Sequence, residues 1–213
     1  MKRNWVIGLL ALCALSFCIQ LVLYPSLPET VPIHWNAAGE VDGWSGKISA
    51  LLLGLLPFGM TILFAALPKL DPKRENYQKH MKIYQPICGL FVLFFIGMVW
   101  VVMLSALDFQ LPVGGLISAG LGIVFIILGN FMPRIRPNYT FGIRLPWTLE
   151  NETVWYKTHR VAGGWFMAAG VVFGVSGFLP AAVCWIGIVA VLAVAVGTSV
   201  YSWVIYKRET KQD

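Results

Sequence analysis

Apolar residues gather along the chain into five long stretches free of Asp, Glu, Lys and Arg: 4–28, 48–68, 83–107, 109–133 and 161–206. A helix needs about 20 apolar residues to cross a bilayer. Each of the first four runs suffices for one crossing. The last, 46 residues long, exceeds one crossing and is divided by Pro180, which follows Gly177, Phe178 and Leu179 and marks a tight turn. The pattern predicts six transmembrane helices, at about 4–24, 48–68, 83–107, 113–133, 161–179 and 181–206. A membrane β-barrel would need period-two alternation, which stretches such as Ile123–Leu128 lack. Backbone groups in lipid must moreover be satisfied within the segment. The expected fold class is all-α, a polytopic membrane helical bundle. It reads as a single membrane domain over residues 1–213, with an outer loop at 25–47 and inner loops at 69–82 and 134–160.

Composition agrees. Charged residues are 12% of the chain, hydrophobic ones 58%, and the mean hydropathy is +0.73. These values exclude a disordered chain, a coiled coil and an ordinary water-soluble enzyme. The first run follows Lys2 and Arg3 and could imitate a signal peptide, but no small-x-small cleavage pattern follows it. Leu12 and Phe17 are too bulky to precede a lipidated Cys13 or Cys18, so a retained span is expected. Cys13, Cys18, Cys88 and Cys184 all fall within spans, with no CxxC pair and no metal-ligand spacing. They read as packing residues, with no disulfide framework, metal or cofactor implied.

Lys and Arg set the orientation. With both termini cytoplasmic, fifteen of the sixteen basic residues fall inside, and only Lys47 lies outside. The expected location is the cell membrane, multi-pass. The net charge of +6 is then explained by topology and by contact with anionic headgroups of the lipid bilayer. No helix-turn-helix or aromatic RNA-binding pattern accompanies it, so direct nucleic-acid binding is not expected. No ionisable residue lies deep in a span, which argues against an ion-coupled transporter. Asn130, near the inner end of the fourth span, is the main polar exception and is expected to bond to a neighbouring helix. Gly115 with Ala119, and Gly170 with Gly174, are small residues one turn apart and suit close intramolecular helix packing. Pro57 and Pro86 are expected to bend their helices.

Two loops carry most of the chemistry. In the outer loop, Pro28 and Pro32 hold the start extended, and Gly39, Gly43 and Gly46 permit turns. One reading is a compact cap on the bundle. Trp35 and Trp44 would sit at the interface, while His34, Asn36 and Asp42 bond to backbone. The other is a recognition surface: Trp suits binding hot spots, and Glu29, Glu40 and Asp42 outnumber Lys47, which favours a cationic partner. His34 and Asp42 alone make a poor metal site.

The inner loop is interrupted by Pro133, Pro137 and Pro146. Beyond Pro146, Thr148 can serve as an N-cap, with Glu150 and Glu152 in the first turn of a helix running unbroken into the fifth span. Asn151, Trp155 and His159 would then share one face. One reading is an interfacial elbow whose Arg134, Arg136, Arg144 and Arg160 reach lipid phosphates, with Trp147 and Trp155 at headgroup depth. Another is a cytoplasmic docking site. Catalysis ranks third: Glu152 and His159 lie about 10 Å apart along a helix, and no nucleophile elbow, Walker loop or HExxH is present. No catalytic residue is assigned. The Asn138 and Asn151 sequons would face the cytoplasm and are discounted.

The stretch Gly142–Trp155, extended by Thr158, His159 and Arg160 and preceded by Leu128-Gly129-Asn130 and Arg136-Pro137-Asn138, resembles the SdpI family of bacterial membrane proteins. Pro32-Ile-His-Trp-Asn-Ala-Ala-Gly39, with Asp42 and Lys47, is similar to an N-terminal HWN-type domain that accompanies that family. The resemblance spans nearly the whole chain and includes the six-helix plan. It marks Gly142, Arg144, Pro146, Trp147, Thr148, Leu149 and Trp155 as signature positions without a catalytic role; Leu145 stands where Thr is common, and His159 is not universal. It implies immunity to a secreted toxin peptide of the sporulation-delaying kind. It also implies a receptor role, in which a cytoplasmic winged-helix repressor is held at the membrane. Candidate ligand- or partner-binding residues are therefore His34, Trp35, Asn36, Gly39 and Asp42 outside, and Asn130, Asn138, Gly142, Arg144, Pro146, Trp147, Thr148, Trp155, His159 and Arg160 inside. The alternatives are a membrane enzyme acting on lipid or peptide through His159, Arg144 or His34, and a small-molecule transporter.

Overall fold

The computed structural model describes the backbone of residues 1–36 and 39–211, and the side-chain surroundings of these except at 74, 77–80, 181, 182 and 184. Ala37 and Ala38 of the outer motif and the side chain of Cys184 lie outside the described residues. The elements in order are α1 (Arg3–Leu23), β1 (Thr30–Trp35), β2 (Val41–Gly46), α2 (Ile48–Gly54), α3 (Leu56–Leu70), α4 (Arg74–Ala106), α5 (Val113–Phe131), α6 (Pro146–Glu150), α7 (Glu152–Ser176) and α8 (Ala181–Glu209). The protein is an all-α polytopic membrane bundle with one small hairpin.

Among the described residues, five helical segments are long and apolar enough to cross a membrane: Arg3–Ser26, Ile48–Leu70, Met81–Ala106, Val113–Arg134 and Trp185–Glu209. The expected fifth crossing, 161–179, falls in α7, which ends at Ser176. Beyond Arg160 that helix extends for about 24 Å at 1.5 Å per residue, short of a hydrocarbon core of about 30 Å. Its glycines lower its hydropathy further. α7 lies between α5 and α8 and packs extensively on both.

α5 and α7 run antiparallel at backbone contact. A Cβ on Gly122 would lie 2.6 Å from the Gly170 carbonyl oxygen, and one on Gly170 would lie 2.7 Å from that of Gly122. Gly129 and Gly163 repeat the reciprocal pairing at 2.5 and 2.6 Å. The two layers are seven residues apart on each helix, which is two turns and therefore one face. In lipid there is no hydrophobic drive between helices, so such small-residue seams supply the van der Waals contact instead. Gly174 also sits in this seam, its Cβ position 3.8 Å from the Cα of Ala119. The paired spacing Gly170–Gly174 thus serves intramolecular packing as expected.

α1 to α4 form the other half. The second span breaks at Leu55 between α2 and α3, with Pro57 in the first turn of α3. Pro86, by contrast, lies within α4, which is continuous from Arg74 to Ala106. At one end of this half, Leu27, Val31 and Ala50 bury against Val99, Val102, Met103 and Ala106 of α4. The segment that reads as a loop in the sequence is an antiparallel pair, with Thr30 opposite Gly46 and Trp35 opposite Val41, and irregular register around His34. Lys47 Nζ donates to Glu29 Oε1 at 2.7 Å and closes its base.

Candidate functional site

The candidate residues collect at the two ends of α5. At this helix's 19 residues and 1.5 Å rise the ends lie about 28 Å apart.

At the hairpin end, His34 Nδ1 and Asp42 Oδ1 are 2.5 Å apart and both side chains are substantially exposed. Asn36 closes the tip: its Nδ2 donates to Glu40 Oε2 and its Oδ1 accepts from Glu40 N, both at 3.0 Å. Gly39 takes a left-handed φ of +82° there, and a Cβ on it would lie 4.0 Å from the Gly114 amide nitrogen at the start of α5. Trp35 packs against the Leu27–Val31–Met103 cluster. Among the described residues no three His, Cys, Asp or Glu converge as a metal set.

At the other end the chain leaves α5 through a 3-10 turn at Met132–Arg134 and forms an elbow before α7. Trp155 and His159 are fully buried and stack, with ring centroids 4.1 Å apart and planes 23° apart. The indole Nε1 of Trp155 donates to the Ile135 carbonyl at 2.8 Å. The Ile143 amide donates to His159 Nε2 at 3.0 Å. Nδ1 must then carry the ring proton, and it donates to the Trp155 carbonyl at 2.8 Å. Gly142 meets this pair with φ +108°, and a Cβ there would lie 2.6 Å from His159 Nε2. Only glycine fits.

Asn138, also fully buried, folds the preceding turn. Its Oδ1 accepts from the Thr140 and Phe141 amides at 2.9 Å, and its Nδ2 donates to the Arg136 carbonyl at 2.9 Å. Arg144 is exposed and donates from Nη1 to the Tyr139 carbonyl at 2.6 Å. Thr148 is not the N-cap of a continuous helix. It is the third residue of α6, where its Oγ1 accepts from Leu145 N at 2.9 Å and faces the carbonyls of Ile143 and Leu145. The helix breaks at Asn151, whose extended backbone and Oδ1, accepting from Val154 N at 3.1 Å, cap α7 instead. Asn prefers this capping role over a helix interior. Pro146 opens α6, and Trp147 Nε1 donates to Ser202 Oγ of α8 at 2.8 Å. Asn130 and Arg160 are exposed and outside this network, and among the described residues Asn130 makes no bond to a neighbouring helix.

One participant escapes the sequence reading. Asp71, 5% exposed, accepts from Lys73 N through Oδ1 and from Tyr139 N and Thr140 Oγ1 through Oδ2, at 2.8, 2.9 and 2.6 Å. Asn76 Nδ2 adds a bond to the Pro137 carbonyl at 2.7 Å. The elbow is thereby pinned to the α3–α4 connection. The available signal is an acid before a proline in a predominantly basic loop, a pattern that marks an Asx turn.

Burial pushes the His159 pKa from 6.5 down to about 4. The unfolded chain therefore takes up a proton first as pH falls. Stability from neutral His159 is complete above pH 6.5, is lost from there to about pH 4, and then levels off. The expected loss is on the order of 3 kcal/mol. The thermal midpoint of protein in nanodiscs should fall across that window and do so less in His159→Gln. A wild-type midpoint flat from neutral pH to 4 would contradict the buried neutral imidazole.

The family model described as "SdpI/YfhL protein family" matches residues 134–202, which cover the elbow, α7 and most of α8. The model "Domain of unknown function (DUF1648)" matches residues 11–61, which include the hairpin. The "Immunity protein SdpI" of Bacillus subtilis (strain 168) is 30% identical over 209 residues, 98% of each chain. The chain belongs to the SdpI family. No solved structure matches it. In this SdpI-family protein Gly142 packs on Trp155 and His159, Thr148 bonds to the Ile143 carbonyl, and with Asn138 they build the elbow.

Proposed function

We propose that this protein is a membrane immunity protein and receptor, protecting its cell from a secreted antimicrobial toxin peptide. The observation that carries the reading is the 30% identity to an immunity protein over 98% of both chains. α7 is taken as a sixth crossing, sheltered by α5 and α8, within a single membrane domain. Both termini are then cytoplasmic, a placement supported by fifteen basic residues on one side. The hairpin faces outward and meets the peptide. The elbow faces inward, where Arg134, Arg136, Arg144 and Arg160 are exposed beside it, and a winged-helix repressor docks there. The alternative of an enzyme working through His159 is disfavoured, because both its ring nitrogens are already bonded to backbone.

Expression in a strain killed by a sporulation-delaying toxin peptide tests the reading. Survival at peptide doses lethal to the empty-vector strain is expected. Killing at the same dose, with the protein verified in the membrane, would remove the immunity role for that peptide class.

A further inference from the structure

Two cavities open beneath the hairpin, one on each side of Trp35. The larger, about 570 Å³, lies between the hairpin tip, the start of α5 and the end of α7, against Gly39, Gly114, Ser118 and Phe178. The smaller, about 330 Å³, lies between the hairpin, the α2–α3 break and α4, against Leu53, Phe95 and Val102. Trp35 and Ile117 border both. Each is within the usual size range of ligand pockets, about 300–1,000 Å³. The walls are mostly apolar, and this end of the molecule is acidic: the lining residues Asn36 and His34 bond to Glu40 and Asp42. Glu29, Glu40, Asp42 and Asp108 are at this end; among the described residues the one Lys or Arg beside them, Lys47, is bound to Glu29 at 2.7 Å, and His34 is bonded to Asp42. Glu40 is held by the neutral amide of Asn36, and Asp108 faces the amide of Gln110. Neither has a cationic partner among the described residues.

From this juxtaposition we infer that the hairpin end binds a cationic amphipathic peptide. The peptide seats a bulky apolar side chain in each cavity, on either side of Trp35, and turns its Lys or Arg residues to Glu40, Asp42 and Asp108. A lipid tail would suit the apolar walls, but its phosphate would meet the acidic side chains of this end, whereas a cationic peptide is complementary to both parts. The biological identity of the peptide rests on the immunity reading; the binding site itself does not.

Photo-crosslinking in phosphatidylcholine nanodiscs tests the site. The probes are a synthetic Leu/Trp/Lys peptide carrying benzoylphenylalanine and its Leu/Trp/Glu counterpart. The cationic probe should label residues bordering Trp35, and the acidic one should not. Gly114→Phe fills the larger cavity from a position whose Cβ meets nothing closer than 4.0 Å, and Glu40→Lys reverses an exposed rim charge. Each should cut labelling by about tenfold. If Gly114→Phe does not fold, Glu40→Lys decides alone. Equal labelling in the folded variants, or labelling confined to the lipid-facing side of α8, would overturn the site. So would a photoreactive-tail phosphatidylcholine that occupies the cavities and resists displacement by the peptide. Wild-type cells that are killed despite specific labelling would sink the immunity reading and leave the site standing. Full protection by both variants would do the reverse.

Discussion

Leucine at Gly163 is expected to leave almost no folded protein in the membrane, while leucine at the adjacent Gly164 is tolerated. The two glycines share a helix and a sequence neighbourhood. A Cβ at Gly163 would meet the Gly129 carbonyl oxygen at 2.6 Å and the Pro133 ring at 3.1 Å, whereas one at Gly164 meets nothing within 4 Å. Overpacking a core ordinarily costs about 1–3 kcal/mol because side chains can move aside. Here the obstacle is backbone, so α5 and α7 would have to separate along the whole seam. That separation would also expose the Gly122–Gly170 contact and uncover the side of α7 that α5 shelters. Gly164→Leu should even gain up to about 1 kcal/mol of helix propensity. Membrane-fraction yield and monodispersity after extraction read the difference. Equal yields of the two variants would show that the helices do not touch as described.

The second large effect is at Trp155. Trp155→Ala is expected to cost about 3–5 kcal/mol, the usual range for emptying a large aromatic site. The indole is fully buried, stacks on His159 and holds the Ile135 carbonyl. Removing it leaves a cavity, an unpaired carbonyl and a loose imidazole. Trp155→Phe keeps most of the packing and loses the hydrogen bond, so it should cost about 1–3 kcal/mol. Thermal midpoints at pH 7.5 should rank wild type, Trp155→Phe, Trp155→Ala in falling order. An unshifted Trp155→Ala would mean that the elbow is not held by this residue.

Much of the bundle is legible in the pattern of uncharged runs. The expected span at 4–24 is α1 at Arg3–Leu23, and that at 113–133 is α5 at Val113–Phe131. Helices in lipid announce themselves because a single charge is costly there. α4 begins at Arg74, well before its apolar run, because outside the lipid a basic stretch continues a helix freely. The hairpin was hidden for a physical reason. Its pairing is interrupted at His34, and Pro32 and Gly43 in the strands spoil the alternation that signals a sheet. The seven-residue spacing of Gly122–Gly129 and Gly163–Gly170 is visible in the sequence, but that the two pairs face each other is a tertiary fact.

The elbow shows the same division. Trp155 and His159 on one helical face follow from a spacing of four. The break at Asn151 does not, since Thr148, three residues earlier, is a capping residue as well. Nor does the bond from Thr140 to Asp71, 69 positions away. The motif residues therefore read as binding candidates from sequence, while their bonds are largely to the elbow's own backbone. Together they build a turn that few other residues can: a positive φ at Gly142, a neutral imidazole at His159, and a buried amide at Asn138.

In the proposed function the elbow maintains the fold while the hairpin end meets the ligand. Protection per folded molecule tests this most directly, measured as the half-lethal peptide dose divided by the amount of correctly folded protein in the membrane. For Trp155→Phe that ratio should equal the wild-type ratio, with any loss of protection explained by lost protein. For Glu40→Lys it should fall about tenfold at undiminished protein. The opposite pattern, an elbow variant present in full yet unprotective beside a fully protective Glu40→Lys, would contradict the claim.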